Sequence, residues 1–214
     1  MSRRPLKRLV ALARVGARAA RGVEGPLVLE VRRALASGVP PADLRETLLQ
    51  TYLFAGFPRA ITALTLLERE APGPRGIPRE KPRSTAAWRK RGIRLCRAVY
   101  GPDFPALMRN MAKAHPDLAD WILVEGYGKT LSRPFLSLQE RELIVGPTLA
   151  ALGAWRQLPS HLGGALRAGA TRAEVAAVLR GAKGAVPASA VSRALRELDA
   201  SRRRILGGRR PDRR

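Results

Sequence analysis

Residues 34–44 read ALASGVPPADL, and residues 165–175, 131 positions later, read ALRAGATRAEV. Both stretches hold Ala-Leu, a glycine suited to end a helix, a proline or threonine suited to start the next, an acid and an aliphatic residue. Each continues into a helical pattern, a glycine-containing turn (GFP at 56–58, GAVP at 184–187) and a further helical pattern (AITALTLLE, AVSRALREL). A helix–turn–helix unit repeated in this way buries its apolar face against its own copy. The expectation is an all-α bundle with a partial internal repeat.

The remaining punctuation agrees. Gly25-Pro26 opens a segment ending at Gly38. Pro40-Pro41 opens one in which Leu44, Leu48, Leu49, Tyr52 and Leu53 recur at helical spacing, and Pro58 starts another with Ile61, Leu64 and Leu67. Residues 71–84 hold four prolines and read as a linker. Beyond it, helices are expected from Ser84 to about Gly101, after Pro102-Asp103, and from Pro116 through Leu118, Trp121, Ile122 and Val124. Ser137 with Glu140 and Thr171 with Glu174 have the spacing of capping boxes, and Pro147 predicts a kink. A short helix follows Pro159, and a last one follows Pro187 with Val191, Leu195 and Leu198. No stretch reads as a strand. The domain expectation is a basic extension at 1–24, a partial repeat at 25–70, a linker at 71–84, a core at 85–200 and a basic tail at 201–214.

A hydrophobic fraction of 45% supplies a core, and a single cysteine, Cys96, excludes an internal disulfide and a CxxC redox pair. This fits a reducing, cytoplasmic setting. No apolar run is long enough to span a membrane. The net charge of +23 is concentrated at the ends: residues 1–22 hold seven basic groups and no acid, and residues 201–214 hold seven arginines against Asp212. Such ends suit nucleic acid or an anionic surface, or a solvated face. The N-terminal stretch, with Leu6, Leu9, Val10, Leu12 and Val15 among the arginines, reads as a basic amphipathic helix, suited to a membrane surface, to organelle targeting or to packing on its own domain.

The stretch from Trp121 to Gly181 contains Tyr127-Gly128, an Arg141-Glu142-Leu143 helix, Ala151-Leu152-Gly153, Gln157-Leu158, His161, Gly164-Ala165-Leu166 and a Gly-x-Thr-x-x-Glu segment ending at Glu174. It resembles the carboxymuconolactone decarboxylase family of the alkylhydroperoxidase D-like superfamily. The segment from Arg45 to Leu64 resembles the part that normally follows this pattern. The resemblance implies an all-helical fold, a homo-oligomer (trimer or hexamer) and decarboxylase-like lyase chemistry. The thiol peroxidase branch spaces Glu, Cys, Cys and His so that, with its His at His161, its Glu falls on Glu142 and its cysteines on Ala154 and Gln157. Without either sulfur, a CxxC-type peroxidase activity is not expected. The decarboxylase branch commonly carries a cysteine in the turn before the last helix; both matching turns here carry alanine, Ala55 and Ala185.

Cysteine-independent acid–base chemistry on a small carboxylated or lactone metabolite then falls to Glu142 and His161 as catalytic candidates. Tyr127, Arg133, Arg141 and Gln157 are substrate-binding candidates, the arginines through bidentate contacts to a carboxylate. The bland alternative is that Glu142 and His161 tie two helices together and that the arginines line a solvated face. His115 reads as a surface residue, and Cys96, sharing a face with Trp88, Leu95 and Val99, as a buried inert thiol rather than a nucleophile. Two distant histidines make no metal site, and no cofactor is expected. The competing functional reading is a non-catalytic oligomeric scaffold whose basic ends bind nucleic acid or another polyanion.

Overall fold

The computed structural model describes residues 3–73, 80–81 and 83–207, so part of the expected linker and residues 208–214 of the expected tail lie outside the described residues. The helices are α1 (Arg3–Arg21), α2 (Glu24–Ala36), α3 (Pro41–Gln50), α4 (Tyr52–Ala55), α5 (Phe57–Glu70), α6 (Thr85–Tyr100), α7 (Phe104–Ala114), α8 (Pro116–Trp121), α9 (Leu138–Leu152), α10 (Leu158–Arg167), α11 (Arg172–Gly181) and α12 (Ala188–Gly207). A 3-10 turn spans Gly101–Asp103 and a π-helix spans Ile122–Leu131. The fold is all-α; among the described residues the only β-type pairing is an isolated bridge between Lys183 and Val186.

The starts form as the side chains dictate. Both expected capping boxes are made: Ser137 and Thr171 accept from the backbone of Glu140 and Glu174, whose carboxylates reach back to the cap N–H groups. Proline stands in the first turn of α3, α5, α7, α8 and α10, where its missing N–H leaves no bond unmade. His115 is exposed and caps α8, its Nδ1 accepting from the Asp117 N–H at 3.2 Å. Pro147 sits buried inside α9, where the ladder loses one bond.

The helix expected as a basic extension is instead at the centre. Leu9, Leu12, Ala13, Val15, Ala17, Ala19 and Ala20 of α1 are at most 1% exposed. Leu9, Ala13 and Ala17 pack with Leu143, Leu158, Leu162, Val175, Leu179 and Leu198. Leu12, Val15 and Ala19 pack with Leu27, Val31, Leu44, Leu48, Leu67 and Ile144. The helix is amphipathic: its wide apolar face is buried between these two clusters, and its arginines run along the other side. Where α1 crosses α9, a Cβ on Gly16 would stand 3.0 Å from Thr148 Oγ1. Three arginines of α1 find partners inside the chain. Arg8 binds Asp43 at 2.6 Å and Glu140 at 2.5 Å, Arg14 binds Glu30 through two nitrogens, and Arg14 and Arg18 donate to carbonyls at the end of α11 and just beyond it (Gly181, Lys183, Gly184). At the other end, α12 continues through the start of the expected tail, with Ser201 buried and bonded to the Pro159 carbonyl.

Burial alone would raise the Glu30 carboxyl, but the hydrogen bonds and charge of Arg14 outweigh it and hold Glu30 below its usual range. Glu140 is likewise raised by burial and lowered, on balance, by the Ser137 backbone and Arg8. Depressed carboxyls contribute stability that is present above their unfolded value, near roughly pH 4.3, and is lost as pH falls through the folded value. The melting temperature should therefore drop on acidification below about pH 4, and Arg14→Gln should flatten that dependence in calorimetric melts.

The turn after α2 and the turn after α10 carry the same backbone bonds. Ser37, Gly38 and Val39 donate to Arg33, Leu35 and Ala34, and Ala168, Gly169 and Ala170 donate to Gly164, Leu166 and Ala165. Gly38 and Gly169 take φ of 81° and 98°, the left-handed conformation that ends a helix. The 131-residue offset also relates the bounds of α3 to those of α11, and the end of α1 to the end of α9.

The expected helix from Pro116 proceeds differently: after Trp121 the chain widens to a π-helix through Tyr127. Its backbone lies directly on α6. A Cβ on Gly92 would fall onto the Leu123 carbonyl oxygen, and one on Gly128 onto the Trp88 carbonyl oxygen. Gly92→Ala should therefore separate the two segments, at a cost of about 1–3 kcal/mol by analogy with overpacked cores. Chemical denaturation of the variant against the parent measures it.

Candidate functional site

Glu142 lies mid-helix in α9 and His161 in the first turns of α10, and both are buried, at 0% and 5% exposed. His161 Nδ1 stands 2.8 Å from Glu142 Oε2. With Glu142 as a carboxylate, Nδ1 carries the proton and donates, which leaves Nε2 as an acceptor. The other carboxylate oxygen, Oε1, is buried without a hydrogen-bond partner. Gly164 makes room for the acid, because a Cβ there would stand 3.0 Å from Glu142 Oε2 and 2.8 Å from Val99. Phe54 of α4 meets the imidazole edge to face at 5.5 Å.

Three further titratable groups face the same carboxylate from α6 and the π-helix. Cys96 is fully buried, and burial followed by the charge of Glu142 pushes its thiol up to about 12. Tyr100 is raised to about 12, chiefly by burial. Tyr127 is 4% exposed and raised well above the usual phenol value by burial, then by Tyr100, Glu142 and Cys96. The two tyrosine rings meet edge to face at 6.3 Å. At neutral pH the three are thus a thiol and two phenols, gathered beside Glu142 without a hydrogen bond to it. Tyr127 was expected from the sequence; Tyr100 was not, and Cys96 was expected only as core. The spacing of Trp88, Gly92, Cys96 and Val99 marks the buried face of α6, yet gives no sign of what that face meets.

The two arginine candidates gather elsewhere. Arg141 is fully buried and donates to Glu46 Oε2 at 3.0 Å, Gln50 Oε1 at 3.0 Å and the Arg133 carbonyl at 3.1 Å. Arg133 binds the same Glu46 at 2.7 Å and 3.0 Å. Burial lowers the Arg141 value, and Glu46 only partly offsets this. This network ties α9 and the loop before it to α3, so both guanidiniums are already matched to a carboxylate of the chain itself. Gln157 is exposed one position before α10 and takes no part in the Glu142–His161 pair. Among the described residues no group of three or more His, Cys, Asp or Glu is arranged to hold a metal ion.

Residues 116–200 match the carboxymuconolactone decarboxylase family. The matched segment contains the π-helix, α9, α10 and α11, and hence Tyr127, Glu142 and His161. Peroxisomal protein 2 of Schizosaccharomyces pombe is 35% identical over 136 residues, covering 62% of this chain and 63% of the relative. Peroxisomal protein 2 of Saccharomyces cerevisiae is 28% identical over 164 residues, covering 64% of this chain and 58% of the relative. The chain thus spans about three-fifths of the length of the curated relatives it matches.

Proposed function

We propose, from the match of residues 116–200 to the carboxymuconolactone decarboxylase family, that this chain performs cysteine-independent acid–base chemistry on a small carboxylated or lactone metabolite, with Glu142 and His161 as its centre. The observation that carries the reading is the buried 2.8 Å pair whose second carboxylate oxygen has no hydrogen-bond partner, among two neutral phenols. A buried carboxylate lacking one of its bonds costs stability, and such a cost is characteristic of sites kept for chemistry.

In a decarboxylation of this type, the bond from carbon to the departing carboxylate breaks and carbon dioxide leaves. The electron pair enters an enolate conjugated with the lactone carbonyl, and a proton then returns to carbon. The chain's own groups suit the last two demands. Phenol donors stabilise a developing enolate oxygen, and an imidazole oriented by a carboxylate exchanges the proton. The raised Cys96 thiol is not a thiolate, so nucleophilic sulfur chemistry has no support here.

The 131-residue offset supports a second element of the proposal, that α1–α5 and α9–α12 descend from one duplicated unit. In the first copy the positions of Glu142 and His161 hold Ala11 and Glu30, so each chain carries one acid–base pair. Oligomerisation is proposed as well, supported by Phe57, Ile61 and Trp121, each at least 60% exposed; sedimentation velocity measures it. The polyanion-scaffold reading is weaker, because Arg8, Arg14 and Arg18 are bonded inside the chain. No helix among the described residues is long and apolar enough to cross a membrane. Cytoplasmic residence remains a proposal, and imaging of the tagged protein against a peroxisomal marker decides between it and the compartment in the relatives' name.

The test of the chemistry is ultraviolet-monitored turnover of γ-carboxymuconolactone by the purified protein, with Glu142→Gln and His161→Gln alongside. Turnover lost in both variants supports the assignment; turnover retained in both refutes it.

A further inference from the structure

The Glu142–His161 pair is closed to solvent, and neither arginine candidate faces it, so recognition of an anionic substrate must come from other groups. One cleft adjoins the cluster. It measures about 70 Å³, lies between the 3-10 turn, α10 and α12, and is lined by Tyr100, Asp103, Ser160, Arg167, Ser201 and Arg204, among others. We propose that this cleft binds the carboxylate of a small substrate through Arg167 and Arg204, an assignment that rests on the reading of Glu142 and His161 as the chemical centre.

Arg167 is held in place by one bond, from Nη1 to the Val99 carbonyl at 2.7 Å. Its Nη2 lies 4.0 Å from Asp103, beyond hydrogen-bond distance, and the Asp103 side chain is 77% exposed. Glycines clear the space around the guanidinium: a Cβ on Gly101 would stand 2.9 Å from Nε, and one on Gly163 3.1 Å from Nη1. Among the described residues, Arg204 makes one side-chain hydrogen bond, to Ser201 Oγ at 3.4 Å. Two guanidiniums thus face the cleft with donors to spare, unlike Arg133 and Arg141, and one exposed carboxylate does not balance them. A water needs about 10–15 Å³ measured in this way, so the cleft has room for a carboxylate and the carbon that bears it. Planar guanidiniums suit such a group because they offer paired N–H donors.

The position also connects to the chemistry. Tyr100 forms part of the cleft wall, interacts with Tyr127 and feels the charge of Glu142. Ser160, at the other wall, immediately precedes His161. An anion in the cleft therefore stands one tyrosine away from the buried pair.

Isothermal titration of maleate into the full-length protein tests the site, using wild type, Arg204→Gln, Arg167→Gln with Arg204→Gln, and Arg94→Gln as an exposed arginine outside the cleft. Maleate affinity should fall by at least about tenfold in the double variant, fall less in Arg204→Gln and stay unchanged in Arg94→Gln. Arg204 holds no backbone group, so its variant remains informative if loss of the Arg167–Val99 bond disturbs folding. Absence of maleate binding in wild type, equal affinity in wild type and both cleft variants, or equal loss in Arg94→Gln would each overturn the proposal. So would inorganic phosphate displacing maleate from the cleft at lower concentration than maleate itself requires. Cleft-dependent maleate binding without lactone turnover removes the chemistry and keeps the cleft; turnover lost in Glu142→Gln but untouched by both cleft variants keeps the centre and removes the cleft.

Discussion

Glu142→Gln and His161→Gln are each expected to lower the turnover rate by about 10²–10⁴-fold, the range that general acid–base catalysis contributes. Glutamine at 142 preserves the shape and an acceptor for Nδ1 but removes the charge that orients and polarises the imidazole. Glutamine at 161 keeps a donor for Glu142 but offers no group that exchanges a proton near neutral pH. Alanine at either position is a poorer probe, because it would leave the other member of a fully buried pair without its partner. The expected stability loss for the glutamine variants is modest, about 1–3 kcal/mol. A tie between two helices predicts the opposite split, with lost stability and an unchanged rate in the molecules that remain folded. Rate and thermal midpoint must therefore be read on the same preparations.

The largest stability effect is expected away from that pair. Glu46→Ala removes the one carboxylate shared by Arg141, which is fully buried, and Arg133, which is largely so. An arginine cannot shed its charge inside the protein, so it would remain buried with only Gln50 and a backbone carbonyl. Breaking one side of a buried ion pair costs about 3–5 kcal/mol. The midpoint of urea denaturation should shift accordingly, with an unchanged slope. Arg133→Gln should cost less, because Arg141 keeps its partner. If Glu46→Ala unfolds at the parent's urea concentration, the network is not holding α3 to α9.

Much of the helical order could be read in the chain because it is written locally. Ser137 with Glu140, Thr171 with Glu174, and the glycines at 38 and 169 act on neighbours within one turn, and each does what its spacing predicts. The pairing of Glu142 with His161 came from the family pattern rather than from local spacing, and the two side chains meet. What could not be read depends on distant partners. Arg8 and Arg14 of α1 look like part of a solvated face until Asp43, Glu140 and Glu30 are brought to them by the fold. Arg133 and Arg141 look like a substrate clamp until Glu46, 87 and 95 positions away, claims both. Tyr100 and Cys96 join the pair only because Gly92 and Gly128 let α6 lie backbone-close on the π-helix. The π-helix adds one residue per turn without a composition of its own, so Tyr127 is turned inward by a geometry that helical periodicity does not describe.

The most direct measurement is the ultraviolet progress curve of γ-carboxymuconolactone with wild-type protein and Glu142→Gln at equal concentration of folded chain. Acid–base chemistry at Glu142 requires consumption of the lactone by wild type, with release of carbon dioxide, and a rate lower by at least about a hundredfold in the variant. Equal rates in the two proteins, or no consumption by folded wild type, would contradict it.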